Sequence, residues 1–507
     1  MTNHLYDGLL ANASGERLFA TIPGAKPRYY SYQHVSDVSA KLANQLVALG
    51  VRPGDRVAAQ IPKSIEALML YLATVRAGAV FLPLNTAYTA HEVSYFVEDA
   101  TPRVFICDPK DTAAYSDMAA RLGSRLETMG VWQSPDEDAG SFLADPDGWS
   151  NEFETVPRGQ DDLAAILYTS GTTGRSKGAM LTHGNLLSNA RTLVELWQFT
   201  QDDVLLHALP VFHTHGLFVA TNVLTLAGGS LIFLPGFSND TILEHMPKST
   251  CLMGVPTFYT RLLDDERFTR EAAKDMRLFI SGSAPLLAET HAAFERRTGQ
   301  RILERYGMTE TNMNTSNPYD GDRRAGTVGP ALPGVDVRIC DDNGEELKRG
   351  DVGMLEVRGP NVFNGYWNMP EKTAEELRPD GWFITGDLAT MAEDGYVTIV
   401  GRGNDLIISG GYNIYPKEVE LVIDEQLGVR ESSVIGVPHP DFGEGVVAVI
   451  VVDTQPFDVE LLQRSLGEKL ARFKQPKRIV ILDELPRNTM GKVQKNVLRE
   501  SYKDSFA

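Results

Sequence analysis

The run YTSGTTGRSKGAM, residues 168 to 180, follows the apolar stretch LAAIL and places glycines at 171, 174 and 178 among hydroxyl side chains and Lys177. Glycine lets backbone N–H groups approach an anion closely, hydroxyls add donors, and a lysine neutralises charge, so a loop of this composition after a strand suits polyphosphate. The Walker loop requires G-x-x-x-x-G-K-[ST]. Here Lys177 stands between Ser176 and Gly178, which excludes that form. Taken alone, a tract of Gly, Ser and Thr can equally be a flexible surface loop, and no G-x-S-x-G elbow or Cys/His pair accompanies it.

A phosphate loop needs elements to hold it. Val35, Val38, Leu42, Leu46 and Leu49 recur at three- and four-residue intervals and predict a helix ending at Gly50. Ser64 and Gly78 bracket a second helix, KSIEALMLYLATVRAG, between the apolar runs DRVAAQIP and AVFLPLN. The strand and helix rhythm returns in PRVFICD, in RLFISGSAP and around the loop, the pattern of parallel sheets covered by helices. After about residue 320, short β-rich segments separated by Gly, Pro, Asn and Asp indicate an antiparallel or barrel-like region. Beyond Gly401 the pattern becomes that of a small α+β domain. The expected class is α/β: a large N-terminal domain of α/β sheets with a β-barrel-like subdomain, residues 1–401, and a small α+β domain, residues 402–507.

Bulk properties narrow the function. A chain of 507 residues exceeds what one core usually supports. A net charge of -19 disfavours a nucleic-acid-binding surface spread over the whole protein, which would need a basic face. Cys107, Cys251 and Cys340 lie far apart without C-x-x-C spacing, as expected in a reducing compartment. The N-terminus has no basic start followed by a long apolar run, and ALMLYLATVRAGAVFLPL is broken by Arg76, Gly78 and Pro83. A soluble cytoplasmic protein without membrane partners is expected.

YTSGTTGRSKG matches the signature of the adenylate-forming superfamily of acyl-CoA synthetases, peptide-synthetase adenylation domains and beetle-type luciferases, and the chain is identified as resembling it. RYGMTET, SGSAP, TGD, GR and PRNTMGKVQK follow in the family's order. The resemblance implies that Thr169, Ser170, Gly171, Thr172, Thr173 and Lys177 grip the outer phosphates of ATP. Gly282, Ser283 and Ala284 would border the nucleotide and acyl pockets. Glu304, Tyr306, Gly307 and Met308 would belong to the ATP/AMP site, with Tyr306 against adenine and Thr309 at the phosphate. Glu310 would bind Mg2+, Asp387 and Arg402 would hold the ribose, and Lys492 would be the mobile catalytic lysine. The hinge of the small domain falls on Asn404 or Asp405.

The resemblance also implies two half-reactions: a carboxylate attacks the α-phosphorus of ATP to give acyl-AMP and pyrophosphate, and a thiol then displaces AMP. Coenzyme A is the expected thiol, with Gly410 and Gly411 at a pantetheine tunnel or forming a plain turn. Arg472, Lys474, Lys477 and Arg478 are candidates for the CoA phosphates or for a solvated basic surface. LPVFHTHGLFVA, GVPTFYTRLL and SGGYNIYPKEVE resemble malonyl-CoA synthetases most closely. Burying a remote carboxylate demands a cation or several donors. Arg261 is the first candidate, or else a structural ion-pair residue, and His213 and His215 are possible donors. Met308 is expected to limit pocket depth, favouring malonate or methylmalonate. The alternatives are an acyl-CoA synthetase for another short or aryl acid and a free-standing enzyme loading a carrier protein. Oligomeric state is not legible.

Overall fold

The computed structural model describes the chain apart from residues 1, 132–137, 146–147, 170–175, 285, 287, 342, 403–406, 415, 454–455 and 487–492, and apart from the side chains at 289, 400–402, 413, 417 and 421. Two compact units emerge. One comprises Met1–Thr86, Val97–Leu167 and Gly178–Val400; the other comprises Ala87–Phe96, Tyr168–Lys177 and Gly401–Ala507. Sequence texture places a single cut near 401, but the smaller unit also takes in two short segments from earlier in the chain.

Two predicted helices illustrate how local signals set the first unit. Helix Tyr32–Ala48 begins at Ser31, whose side chain accepts from the His34 N–H, and Val35, Val38, Leu42 and Leu46 are buried. Gly50 follows with φ +88°, a conformation that costs a residue without Cβ little. Ser64 caps helix Ile65–Arg76 in the same way, through the Ala67 N–H. Every residue from Ile65 to Val75 is buried, Glu66 and Thr74 included, so the helix is enclosed on all sides. Each large aliphatic side chain buried there contributes about 1.5–3 kcal/mol.

These helices cover sheets of the expected kind. A six-stranded sheet runs in the order Arg125–Thr128, Val104–Cys107, Arg56–Gln60, Val80–Pro83, Leu163–Thr169 and Lys177–Thr182. An eight-stranded sheet runs Asn312–Ser316, Leu303–Met308, Leu278–Ser281, Cys251–Gly254, Val204–His207, Ser230–Phe233, Leu18–Ile22 and Arg28–Ser31. Its inner pairings are parallel, and only the pairs at its two ends are antiparallel. The barrel-like region of the sequence is a four-stranded antiparallel sheet, Asp336–Cys340, Gly353–Arg358, Phe383–Met391 and Val397–Arg402.

The smaller unit carries a five-stranded sheet in which Val429–His439 and Gly443–Val452 form a long antiparallel pair and Arg478–Leu482 adds in parallel. Gly410 (φ +58°) and Gly411 (φ +81°) join strands Ile407–Ser409 and Tyr412–Ile414. Positive φ at both central residues is what a tight type I′ hairpin turn requires, so the pair has a structural role whatever ligand passes it. Within this unit Lys474 is 1% exposed, with Nζ 2.9 Å from Glu92 and 2.7 Å from Glu418. Burial opposes its charge, but the two carboxylates outweigh it and hold the lysine well above its ordinary range. Lys474 is therefore committed to an internal ion pair and is removed from the candidate CoA phosphate ligands.

Candidate active site

Strand Leu303–Met308 is the centre of the candidate site. Successive side chains of a strand point to opposite faces. Tyr306 Oη donates to Asp387 Oδ2 at 2.5 Å and lies 3.8 Å from the Met308 sulfur, so the expected adenine residue, the expected ribose residue and Met308 share one face. Asp387 is 1% exposed, on strand Phe383–Met391. Met308 thus stands on the side of Tyr306 and Asp387 rather than beside the cation discussed next. Arg402 ends strand Val397–Arg402, and its side chain lies outside the described residues.

The opposite face carries a residue to which sequence reasoning assigned no role. Arg305 is 3% exposed, and its Nε and Nη2 have no hydrogen-bond partner among the described residues. Its guanidinium lies over Gly282: a Cβ there would stand 2.3 Å from Arg305 Cζ. Gly282 is therefore a space requirement for the cation as well as part of the bordering segment. Burial pushes the Arg305 pKa down to about 9. The alternation of Arg305 and Tyr306 was the signal that could have found it.

His213 and His215 come from the loop after strand Val204–His207. His213 is exposed, whereas His215 is 2% exposed, with Nδ1 3.2 Å from Ser283 Oγ and Nε2 without a partner among the described residues. Burial, then the charge of Arg305, pushes the His215 pKa well below its usual value, so the ring is neutral. A π-helix over His215–Thr221 positions it, and no sequence pattern predicted that. Gly216 O accepts from Thr221 Oγ1 at 2.9 Å and lies 2.9 Å from His207 Nε2, while a Cβ on Gly216 would meet Pro210 O at 1.9 Å. Ser283 itself is held at φ +69°, a left-handed conformation that a serine adopts at a cost. Ala284 follows it, partly exposed.

Arg261, the first candidate for the remote carboxylate, is exposed in the last turn of helix Pro256–Leu263. A surface cation is screened by water and contributes little to a buried ion pair. Arg305, by contrast, is a buried cation on strand Leu303–Met308.

Glu304 points its carboxylate at His291 Nδ1, 3.0 Å away, and both side chains are buried. Its carboxylate braces helix Ala288–Thr298 beneath the site, and burial raises its pKa. Glu310 is 4% exposed, with Oε1 3.0 Å from Tyr366 Oη. It follows Gly307, Met308 and Thr309 at the end of strand Leu303–Met308. Lys177 opens strand Lys177–Thr182 and is 6% exposed. Thr169 ends strand Leu163–Thr169. Ser170, Gly171, Thr172, Thr173, Asn404, Asp405 and Lys492 lie outside the described residues. Among the described residues, no helix is long and apolar enough to cross a membrane.

Comparison with known proteins identifies the family. The model of the AMP-binding enzyme family matches residues 11–367, and that of the AMP-binding enzyme C-terminal domain matches residues 418–492. The crystal structure of ATP-bound MatB from Rhodopseudomonas palustris is 58% identical, covers all of both chains and superposes with a TM-score of 0.78. A malonate–CoA ligase of Arabidopsis thaliana is 36% identical over 485 residues, 89% of this chain and 79% of that protein. A feruloyl-CoA synthase of an Amycolatopsis species is 36% identical over 477 residues, 93% of this chain and 94% of that protein. With the two family models matched in order, the first of them over more than half of the sequence, the chain belongs to the AMP-binding enzyme family.

Proposed function

We propose that the protein ligates malonate to coenzyme A at the expense of ATP, releasing AMP and pyrophosphate, and that methylmalonate is its second substrate. One observation carries the choice of acid: a fully buried arginine, Arg305, with two guanidinium nitrogens unpartnered among the described residues, next to Gly282, Ser283 and His215. An isolated buried charge is unfavourable unless something pairs it. A second carboxylate on the substrate supplies that partner, and an aryl group does not. Among the relatives, the malonate–CoA ligase favours this acid; the feruloyl-CoA synthase, at equal identity, represents the competing aryl reading.

In the first half-reaction a malonate carboxylate oxygen bonds to the α-phosphorus and the bond to the β-phosphate bridging oxygen breaks, releasing pyrophosphate. Two anions must approach: at about 4 Å and an effective dielectric of 20, unit charges repel by roughly 4 kcal/mol. Lys177 and the hydroxyls of the preceding loop hold the outer phosphates, and Lys492 contacts the attacking carboxylate and the α-phosphate. Tyr306 packs on adenine, and Asp387 with Arg402 takes the ribose hydroxyls. Arg305 holds the remote carboxylate, with His215 as a neutral donor, and so fixes which carboxylate is presented for attack. In the second half-reaction the CoA sulfur bonds to the acyl carbon and the acyl–AMP oxygen bond breaks, after rotation about Asn404 or Asp405 and entry past Gly410 and Gly411.

Magnesium fits the donor set. It is commonly held by one or two carboxylates together with substrate phosphates rather than by an all-protein cage. Glu310 offers one buried hard-oxygen ligand, and no cluster of three or more His, Cys, Asp or Glu ligands occurs among the described residues. When bound, the ion neutralises phosphate oxygens and lowers the cost of bringing the carboxylate in. The same reading takes the protein as cytoplasmic.

The test is ATP–pyrophosphate exchange with malonate, methylmalonate, acetate, propionate and ferulate, followed by addition of CoA or a carrier protein. Malonate is expected to give the highest kcat/KM and CoA to be the acceptor. Exchange driven by ferulate but not malonate removes the malonate assignment.

A further inference from the structure

The segment between the four-stranded sheet and helix Pro370–Glu376 touches two parts of the site at once. On one side it ladders with the strand that leaves the phosphate loop: Met180 N–H donates to Gly365 O at 3.0 Å, Asn364 N–H to Met180 O at 3.1 Å, and Trp367 N–H to Gly178 O at 2.7 Å. On the other it holds Glu310 twice. Phe363 N–H donates to the Glu310 carbonyl at 2.8 Å, and Tyr366 Oη lies 3.0 Å from Glu310 Oε1.

Tyr366 is itself gripped from behind. It is 2% exposed, and its ring packs edge-on against Phe363 with centroids 4.8 Å apart. Thr373 Oγ1 accepts from the Tyr366 N–H at 2.9 Å, and Glu376 Oε2 lies 2.5 Å from Tyr366 Oη. Thr373 and Glu376 are three residues apart on helix Pro370–Glu376, so they share one face of it. Lys372 then fixes Glu376, Nζ to Oε1, at 2.9 Å. Gly365, at φ +114°, leaves the room this needs, since a Cβ there would meet Thr373 at 2.6 Å.

We propose that Tyr366 and Glu376 are positioning residues for the magnesium-binding carboxylate: the phenol fixes the orientation of Glu310, Glu376 fixes the phenol, and the ladder to residues 178–180 ties that carboxylate to the exit of the phosphate loop. The proposal rests on Glu310 as the magnesium ligand and is independent of which acid is activated. Partners of this kind orient a ligand before the ion arrives, and their loss typically costs about 10–100-fold in metal affinity.

Equilibrium binding of ATP with excess Mg2+, ATP with EDTA, and AMP to the full-length protein, without any acid, tests it. Tyr366→Phe keeps the packed ring and removes only the hydroxyl. It is expected to weaken Mg2+–ATP binding about 10–100-fold while AMP and metal-free ATP stay close to wild type. Glu376→Ala should behave alike, and Glu376→Gln, whose amide N–H can donate to the phenolic oxygen and leave the phenol's one hydrogen for Glu310, should recover most of the loss. Equal weakening of AMP and Mg2+–ATP, or unchanged Mg2+–ATP binding in Tyr366→Phe, overturns the positioning role. Glu310→Gln separates the two levels: if that variant retains the wild-type preference for Mg2+–ATP over metal-free ATP, the error lies in the ligand assignment beneath the proposal.

Discussion

Replacing Arg305 by methionine, which has a similar reach and no charge, should separate stability from function. Burial pushes the Arg305 pKa from the ordinary arginine range down to about 9. At about 1.4 kcal/mol per pH unit, the charged guanidinium is disfavoured by roughly 5 kcal/mol relative to water. The group is still charged near neutrality, so the substrate-free fold carries this cost until a carboxylate arrives. Arg305→Met removes the cost, and the substrate-free protein should melt at the same or a higher temperature. With malonate the outcome reverses: a buried carboxylate without its partner costs about 3–5 kcal/mol. That corresponds to roughly 150- to 5,000-fold in kcat/KM. Propionate, which has no second carboxylate, should be spared. The assays are ATP–pyrophosphate exchange with both acids and thermal denaturation with and without malonate. Parallel losses on malonate and propionate, or a lower melting temperature with malonate turnover intact, would refute the pairing.

Three further predictions follow from other residues. Lys492→Ala should slow adenylation by at least about 100-fold, the scale for losing a transition-state donor, and largely spare thioester formation from supplied acyl-AMP; equal losses in both half-reactions count against its role. Gly282→Ala places a methyl 2.3 Å from Arg305 Cζ, so the guanidinium must shift. Malonate KM should rise about tenfold or more with folding retained, consistent with a lost charge-assisted hydrogen bond, and an unchanged KM contradicts the proposed contact. His183 is fully buried, and burial pushes its pKa from 6.5 down to about 4. As pH falls below 6.5 the unfolded chain gains a proton that the native state refuses until about pH 4, so stability declines over that window by up to about 3 kcal/mol. His183→Gln should flatten the fall of melting temperature with pH, and an equally steep fall is the contrary result.

What was legible in the sequence depended on how local the signal was. Helices Tyr32–Ala48 and Ile65–Arg76 were readable because their caps and apolar spacing lie within a few residues. The motif with Tyr306 and Glu310 was readable as a string, but the importance of Arg305 was not, because its burial follows from which strand lies alongside. Ile280 pairs with Leu303 and Ser281 with Glu304, which brings Gly282 under the guanidinium. Strand alternation alone would have sent Arg305 to the face opposite Tyr306. Lys474 misled for the converse reason: four cations in a short run look like a surface patch, and the carboxylates of Glu92 and Glu418 that bury one of them are remote in sequence. Tyr366 lacks any local signature, since its partner Glu310 lies more than fifty residues earlier, and Glu376 reaches Glu310 only through Tyr366.

The π-helix at His215–Thr221 gives the acyl side of the site an unusual kind of evolvability. A π-turn bonds residue i to i+5 and so holds one residue more than an α-turn. Deleting a single residue there would convert it to ordinary α-helix and rotate what precedes it by about 100°, since an α-helix completes a turn in about 3.6 residues. His215 would be carried away from Ser283 in one step that no point substitution can reproduce. Changes of chain length in this segment are therefore a discrete route by which a relative could re-aim its pocket while leaving the phosphate loop, Tyr306 and Glu310 untouched.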